Sequence, residues 1–189
     1  MPILPPEPDC NPPDLWDDGS LPVNKPEAAW WCLHTKPRQE KSIARDLRKE
    51  GVVFYLPQVF KESHTPQGRR IRSHVPLFAG YMFLYGDNND RLAALRGNRL
   101  VSVLEVTDQE GLIEDLKRIY LVLESGLPVL PDESVPVGST VRITTGPLAG
   151  LTGKVVRRGK RDHFVAVVDF LRRGAAVELQ DWQVEPVTE

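Results

Sequence analysis

The chain has 189 residues, 41% of them hydrophobic and 26% charged, with a formal net charge of −2. That length allows one medium domain or two small ones, and the composition excludes a fibrous or membrane-spanning chain. Two cysteines, Cys10 and Cys32, provide neither a disulfide framework nor a CxxC metal spacing, so a reducing, cytoplasmic setting without a metal or other cofactor is expected.

Charge is sorted along the chain. Residues 1–29 carry six acids against Lys25, a local net of −5, which leaves about +3 on the remaining 160 residues. An excess of that size permits a nucleic-acid neighbour without requiring one. The same 29 residues hold eight prolines and little that could build a core, so they are predicted to be a disordered, solubilising tail. The opening MPILPPEPDC has neither the basic nor the apolar region of a secretory signal.

Order is expected from Trp30. Trp30 to His34 reads as a strand, with Trp30, Cys32 and His34 on one face and Trp31 and Leu33 on the other. Thr35 and Pro37 mark a helix start, Ile43, Ala44 and Leu47 form its apolar stripe, and Gly51 ends it. Strand character returns at Val52 to Leu56 and Val59 to Lys61. Ser63 to Ser73 has turn residues followed by Arg69, Arg70 and Arg72, the pattern of an exposed basic hairpin tip.

From Val75 to Gly86 the sequence VPLFAGYMFLYG runs for twelve residues without a charge or a side-chain amide. This is shorter than the roughly 18–20 residues a bilayer needs, and it predicts the central strand of a sheet. Pro76 sets the entry and Gly80 permits a bend, so Phe78 and Tyr81 fall where a ring can face a groove or the core. A capped short helix is expected up to Gly97, then a strand over Val101 to Val106 and a helix over Asp108 to Glu124. The order predicts an α+β sandwich, helices on a mostly antiparallel sheet.

Ser125 to Pro136 has three prolines and a glycine and reads as a linker. Five short β-branched runs follow: Thr140 to Thr144, Gly153 to Arg157, His163 to Leu171, Ala175 to Gln180 and Gln183 to Val187. They predict a small barrel. The sharpest local pattern is Gly146-Pro147-Leu148-Ala149-Gly150-Leu151-Thr152-Gly153, in which Leu148 and Leu151 plug the base and Gly153 sits where a side chain would crowd a strand crossing.

With that module placed behind Trp30-Trp31, Thr35-Lys36-Pro37-Arg38-Gln39-Glu40 and Pro76-Leu77-Phe78-Ala79-Gly80-Tyr81, the chain resembles the NusG family of transcription elongation factors over about residues 30 to 187. The resemblance implies a tail (1–29), an NGN-like polymerase-binding domain (30–124), a linker (125–136) and a KOW domain, an SH3-like barrel (137–188). It implies binding, with no chemistry performed by the factor. The N-terminal domain would grip the coiled coil of the RNA polymerase clamp, Phe78 and Tyr81 lining a hydrophobic pocket with His34 and Trp30 at its edge. Such aromatic anchors bury much area at low entropy cost. Asn89, Asp90 and Arg91 fall where relatives touch the opposite side of the polymerase cleft, and helix capping explains them equally well.

Lys36 and Arg38, and separately Arg69, Arg70 and Arg72, are candidates for the non-template DNA strand, with a solvated charge run as the alternative. No interleaved basic and aromatic platform for reading bases is legible. Phe170 and Leu171 stand where relatives carry an apolar pair that docks a small-subunit ribosomal protein or the termination factor Rho, though Phe170 also suits a core. Arg172-Arg173 replaces the Gly-Arg of the general factor, which leaves open a housekeeping factor or an antitermination paralogue. Some relatives fold this module as a helical hairpin. Gly138, Gly146, Gly150, Gly153, Gly159 and Gly174, at about 1 kcal/mol each in a helix interior, argue for strands here. The resemblance further implies a monomer with no membrane contact. Two rival classes are a ribosomal RNA-binding KOW protein and an enzyme using Cys32 and His34 as a thiolate–imidazole pair.

Overall fold

The computed structural model describes residues 7–17, 25–64, 66–68, 70–132, 139–158, 161–179 and 184–187. The chain separates into two units, Met1–Gln109 and Glu110–Glu189. In the first, strands β1 (Cys10–Asn11), β2 (Ala29–Thr35), β3 (Val53–Tyr55), β6 (Tyr81–Gly86) and β7 (Leu100–Glu105) form one antiparallel sheet in the order β1-β3-β6-β2-β7. Helices α1 (Glu40–Lys49) and α2 (Asn88–Leu95) cover one face. There Ile43, Ala44 and Leu47 of α1 and Ala94 of α2 close on Leu33, Phe54, Met82, Leu84 and Leu100. Each buried Leu, Ile, Phe or Met among them contributes about 1.5–3 kcal/mol relative to an exposed one.

Strands β4 (Gln58–His64) and β5 (Arg70–Pro76) pair, among the described residues, only with each other, as a two-stranded ribbon. The hairpin expected from SHTPQGRRIRS is present, with Thr65 and Arg69 outside the described residues.

The run Val75–Gly86 is not one strand. Val75 and Pro76 finish β5, the chain turns through 77–80 with the Tyr81 amide donating to the Phe78 carbonyl at 2.9 Å, and β6 begins at Tyr81. Pro76 has no N–H to continue a ladder, and Gly80 sits at φ +83°, a conformation that favours glycine. The expectation of centrality holds for the second half, since β6 is the middle strand of five.

The tail departs from expectation too. Residues 10–11 add β1 to the β3 edge, and Leu15 and Trp16 are buried. Trp16 stacks on Trp30 at 5.8 Å and 5° and meets Tyr55 edge-on at 5.3 Å. Glu7 lies 3.1 Å from Arg48 on α1. Acidic, proline-rich composition predicts disorder only where no apolar side chain finds a surface, and two large ones do so here. Residues 1–6 and 18–24 lie outside the described set.

The second unit contains most of α3 (Gln109–Glu124), whose Leu112, Leu116, Ile119 and Val122 are buried, and a six-stranded antiparallel sheet. Its strands are β8 (Val129–Asp132), β9 (Ser139–Ile143), β10 (Thr152–Arg158), β11 (Arg161–Val168), β12 (Arg173–Glu178) and β13 (Val184–Pro186), in the order β13-β9-β10-β11-β12-β8. The five expected strands are all there. β8 is additional and lies in the stretch read as linker, because four extended residues pair with β12 despite Pro131. Residues 133–138, the rest of that stretch and the start of the module, lie outside the described set, as do 180–183. Among the described residues, no helix is long and apolar enough to cross a membrane.

Candidate functional site

Opposite α1 and α2, the sheet's other face carries an aromatic ladder. Pairing in register sets Trp30 against Tyr85, Cys32 against Phe83 and His34 against Tyr81, and directly opposed residues share a face. Trp30, Cys32 and Phe83 are enclosed, whereas Tyr85 at one end and His34 and Tyr81 at the other are partly buried. The last rung is a stack, ring centroids 4.8 Å apart and planes 11° from parallel.

Local backbone geometry holds that rung at the end of the two central strands. The Thr35 amide donates to the Gly80 carbonyl at 2.8 Å, and the Gly80 amide donates to the buried Glu40 carboxylate at 2.8 Å. The β2–β7 register shifts between His34 and Thr35, and β2 ends one residue beyond the stack.

The structure therefore brings Trp30, His34, Phe78 and Tyr81 to one region but exposes only two of them. Phe78 is 2% exposed and meets Phe83 edge-on at 6.4 Å. Trp30 is fully enclosed between Trp16 and Tyr85. The expectation that Phe78 lines an open pocket with Trp30 at its rim is corrected: both rings support the surface from beneath. Alternation of faces is legible in the sequence, but the turn that tucks Phe78 inward is not.

Next to the stack, Lys36 is exposed and its Nζ donates to the Asn98 carbonyl at 2.7 Å, while exposed Arg38 has a left-handed backbone at φ +62°. Arg70 is also exposed, its Nε 3.5 Å from Glu62 on the ribbon. Arg69 and the Arg72 side chain lie outside the described set.

A family model described as transcription termination factor nusG matches residues 28–125. The chain belongs to the NusG family. The match begins just before β2 and ends just after α3, so it covers the ladder, all three helices and the ribbon, which are the NGN domain of a NusG-type transcription factor. Residues 7–17 fall outside it. A search among curated proteins returned no match.

Within the NusG-matched region, the α2 trio divides. Asp87 caps the helix, accepting from the Asn89 and Asp90 amides at 2.8 and 3.1 Å, and Asp90 returns the bond to the Asp87 amide at 3.0 Å. Asp90, 9% exposed, also accepts from Lys25 at 2.8 Å. The Asp90 and Asn89 amides hold the Asp87 carboxyl below its usual range, and the Asp90 bond raises Lys25. Asp90 is thus committed to the cap. Arg91 bonds Asn88 and lies 5.5 Å over the Trp31 ring, and the Asn89 side chain faces solvent.

Beyond the NusG match, Phe170 is 37% exposed on a 3-10 turn, Asp169–Leu171, which settles against the core alternative. The turn hangs from α3, the Asp169 amide donating to buried Asp115 at 2.9 Å. Leu171 and Arg173 are half-buried, and Arg172 is exposed with φ +53°.

Burial pushes the Cys32 thiol up to about 12 and the Cys10 thiol, helped by Asp9, to about 11. A thiolate is therefore a negligible fraction at neutral pH. Native protein at pH 8 is expected to react with an aromatic disulfide reagent only slowly, and to yield both thiols at once in denaturant. A fast stoichiometric reaction of Cys32 in the native state would revive the thiolate–imidazole pair.

Proposed function

We propose that this NusG-family protein is a transcription elongation factor that acts by binding, docking the coiled coil of the RNA polymerase clamp on the His34–Tyr81 end of the ladder and modulating pausing, termination or antitermination. The observation that carries the reading is the coincidence of two things. The matched segment is the NGN domain, and its aromatic ladder ends in a half-open stack beside a backbone bend. An aromatic pair that is rigid and wet at one edge suits a helix partner. Lys36 and Arg38, on the connection that leaves the stack, and the cations of the β4–β5 ribbon supply positive charge for the non-template strand.

The second unit is proposed to be a KOW barrel that recruits a further partner, Rho or a small-subunit ribosomal protein, through Phe170 and Leu171. Its exposed ring on a turn anchored by Asp115 supports that role. The factor works in the cytoplasm, on the transcribing enzyme.

Burial decides the test. Phe78→Ala removes a core ring and confounds binding with folding, so the informative variant is Tyr81→Ala. It is expected to weaken capture of core RNA polymerase about tenfold or more, as loss of a central aromatic anchor does, with an unchanged circular dichroism spectrum. Full capture by a folded Tyr81→Ala protein would overturn the docking assignment.

A further inference from the structure

We propose that Glu40 is a positioning residue for polymerase docking: its buried carboxylate holds the 78–81 turn and, through it, sets the His34–Tyr81 stack in the arrangement that a partner helix meets. This rests on the docking part of the proposed function.

The burial of the charge is the first observation. Glu40 opens α1 and is 5% exposed, and a carboxylate taken out of water is costly unless something bonds it. Its place in the first turn suits the positive end of the helix. Its hydrogen bond, however, leaves α1. The N-cap is Gln39, which makes no side-chain bond there, whereas the Glu40 carboxylate accepts from the Gly80 amide, forty residues along the chain, at 2.8 Å. An amide bonded to an ionised acceptor is held more firmly than one bonded to a neutral oxygen.

The place of that bond is the second observation. Gly80 is held at both its polar groups, its amide by Glu40 and its carbonyl by the Thr35 amide at 2.8 Å. Thr35 follows His34 and Gly80 precedes Tyr81, so both bonds lie one residue from a stack whose rings are 4.8 Å apart. A second turn delivers Glu40 to this spot. There the Gln39 amide donates to the Lys36 carbonyl at 3.1 Å and Arg38 stands at φ +62°, which a residue other than glycine adopts only where its surroundings impose it. One carboxylate thus joins two turns from separate segments. A half-buried aromatic pair without such a tie samples several orientations, and a partner binds only the fraction already in place.

The test uses the full chain and two substitutions that separate the bond from the charge. Glu40→Gln keeps an oxygen within reach of the Gly80 amide and removes the charge. Glu40→Asp keeps the charge in the first turn of α1 and is one methylene too short for the bond. Glu40→Asp is expected to weaken capture of core RNA polymerase about three- to tenfold, the net worth of one hydrogen bond, and Glu40→Gln to stay within about twofold of the wild type. Proton NMR reads the stack itself: the His34 ring protons, shielded by the Tyr81 ring, should move toward their unstacked positions in Glu40→Asp and hold in Glu40→Gln. Tyr81→Ala is measured in parallel. Where Tyr81→Ala loses capture, undiminished capture by Glu40→Asp, or a greater loss in Glu40→Gln than in Glu40→Asp, overturns the role of Glu40 and leaves the docking assignment standing. Where folded Tyr81→Ala captures fully, the docking assignment has failed, and the His34 shift alone decides whether Glu40 positions the stack.

Discussion

Trp16→Ala is expected to destabilise the protein by about 3–5 kcal/mol, the usual cost of truncating a buried tryptophan, and to lower its midpoint of urea unfolding accordingly. The side chain is 8% exposed and lies flat against Trp30 at 5.8 Å, with Tyr55 edge-on at 5.3 Å. Aromatic pairs of these geometries add about 0.5–1.5 kcal/mol beyond the area they bury. Truncation would also open a cavity over Trp30 and Tyr55, both fully enclosed. Trp16→Phe keeps most of the stack and should recover more than half of the loss. An unchanged midpoint for Trp16→Ala would mean that residues 10–16 do not hold this position in solution. The same variant bears on function, because Trp30 heads the ladder whose far rung is His34–Tyr81.

That tryptophan also marks the limit of what the sequence makes legible. Period-2 alternation in WWCLH and in YMFLYG is enough to set the ladder residues on one face, and the helical stripe of Ile43, Ala44 and Leu47 is enough to place α1. Trp16 escapes such a reading because a window of eight prolines and six acids looks unstructured, and nothing local signals a distant sheet face that will accept one ring. β8 escapes it in the same way: VLPD pairs only because β12 offers an edge.

Site residues divide along a similar line. Tyr81 and His34 are legible because register couples them directly, and Phe170 because its turn follows a long apolar strand. Phe78 and Trp30 are expected at the surface and lie beneath it, because depth within a layer depends on what covers it, which periodicity does not encode. The ribbon shows the converse. Phe60 and His74 are fourteen residues apart, so their edge-on contact arises only through pairing.

In the second unit, Gly153→Ala is expected to disrupt the β10–β11 pairing. A Cβ there would stand 2.5 Å from the Phe164 ring and 2.7 Å from the Val165 carbonyl oxygen. Neither neighbour can withdraw freely. Phe164 is fully buried, and Val165 is paired with Lys154, the next residue along β10. Overpacking of this kind costs about 1–3 kcal/mol or more, and a backbone oxygen on the partner strand puts the cost at the upper end. Amide hydrogen exchange of β9 to β12 should accelerate accordingly. Adding Phe164→Leu removes the ring contact and leaves the carbonyl contact, so the double variant should regain only part of the protection. Because β11 runs directly into the turn that carries Phe170, the partner capture proposed for that ring should fall with the exchange protection. Native exchange rates in Gly153→Ala would show that the two strands do not cross as closely as 2.5 Å implies.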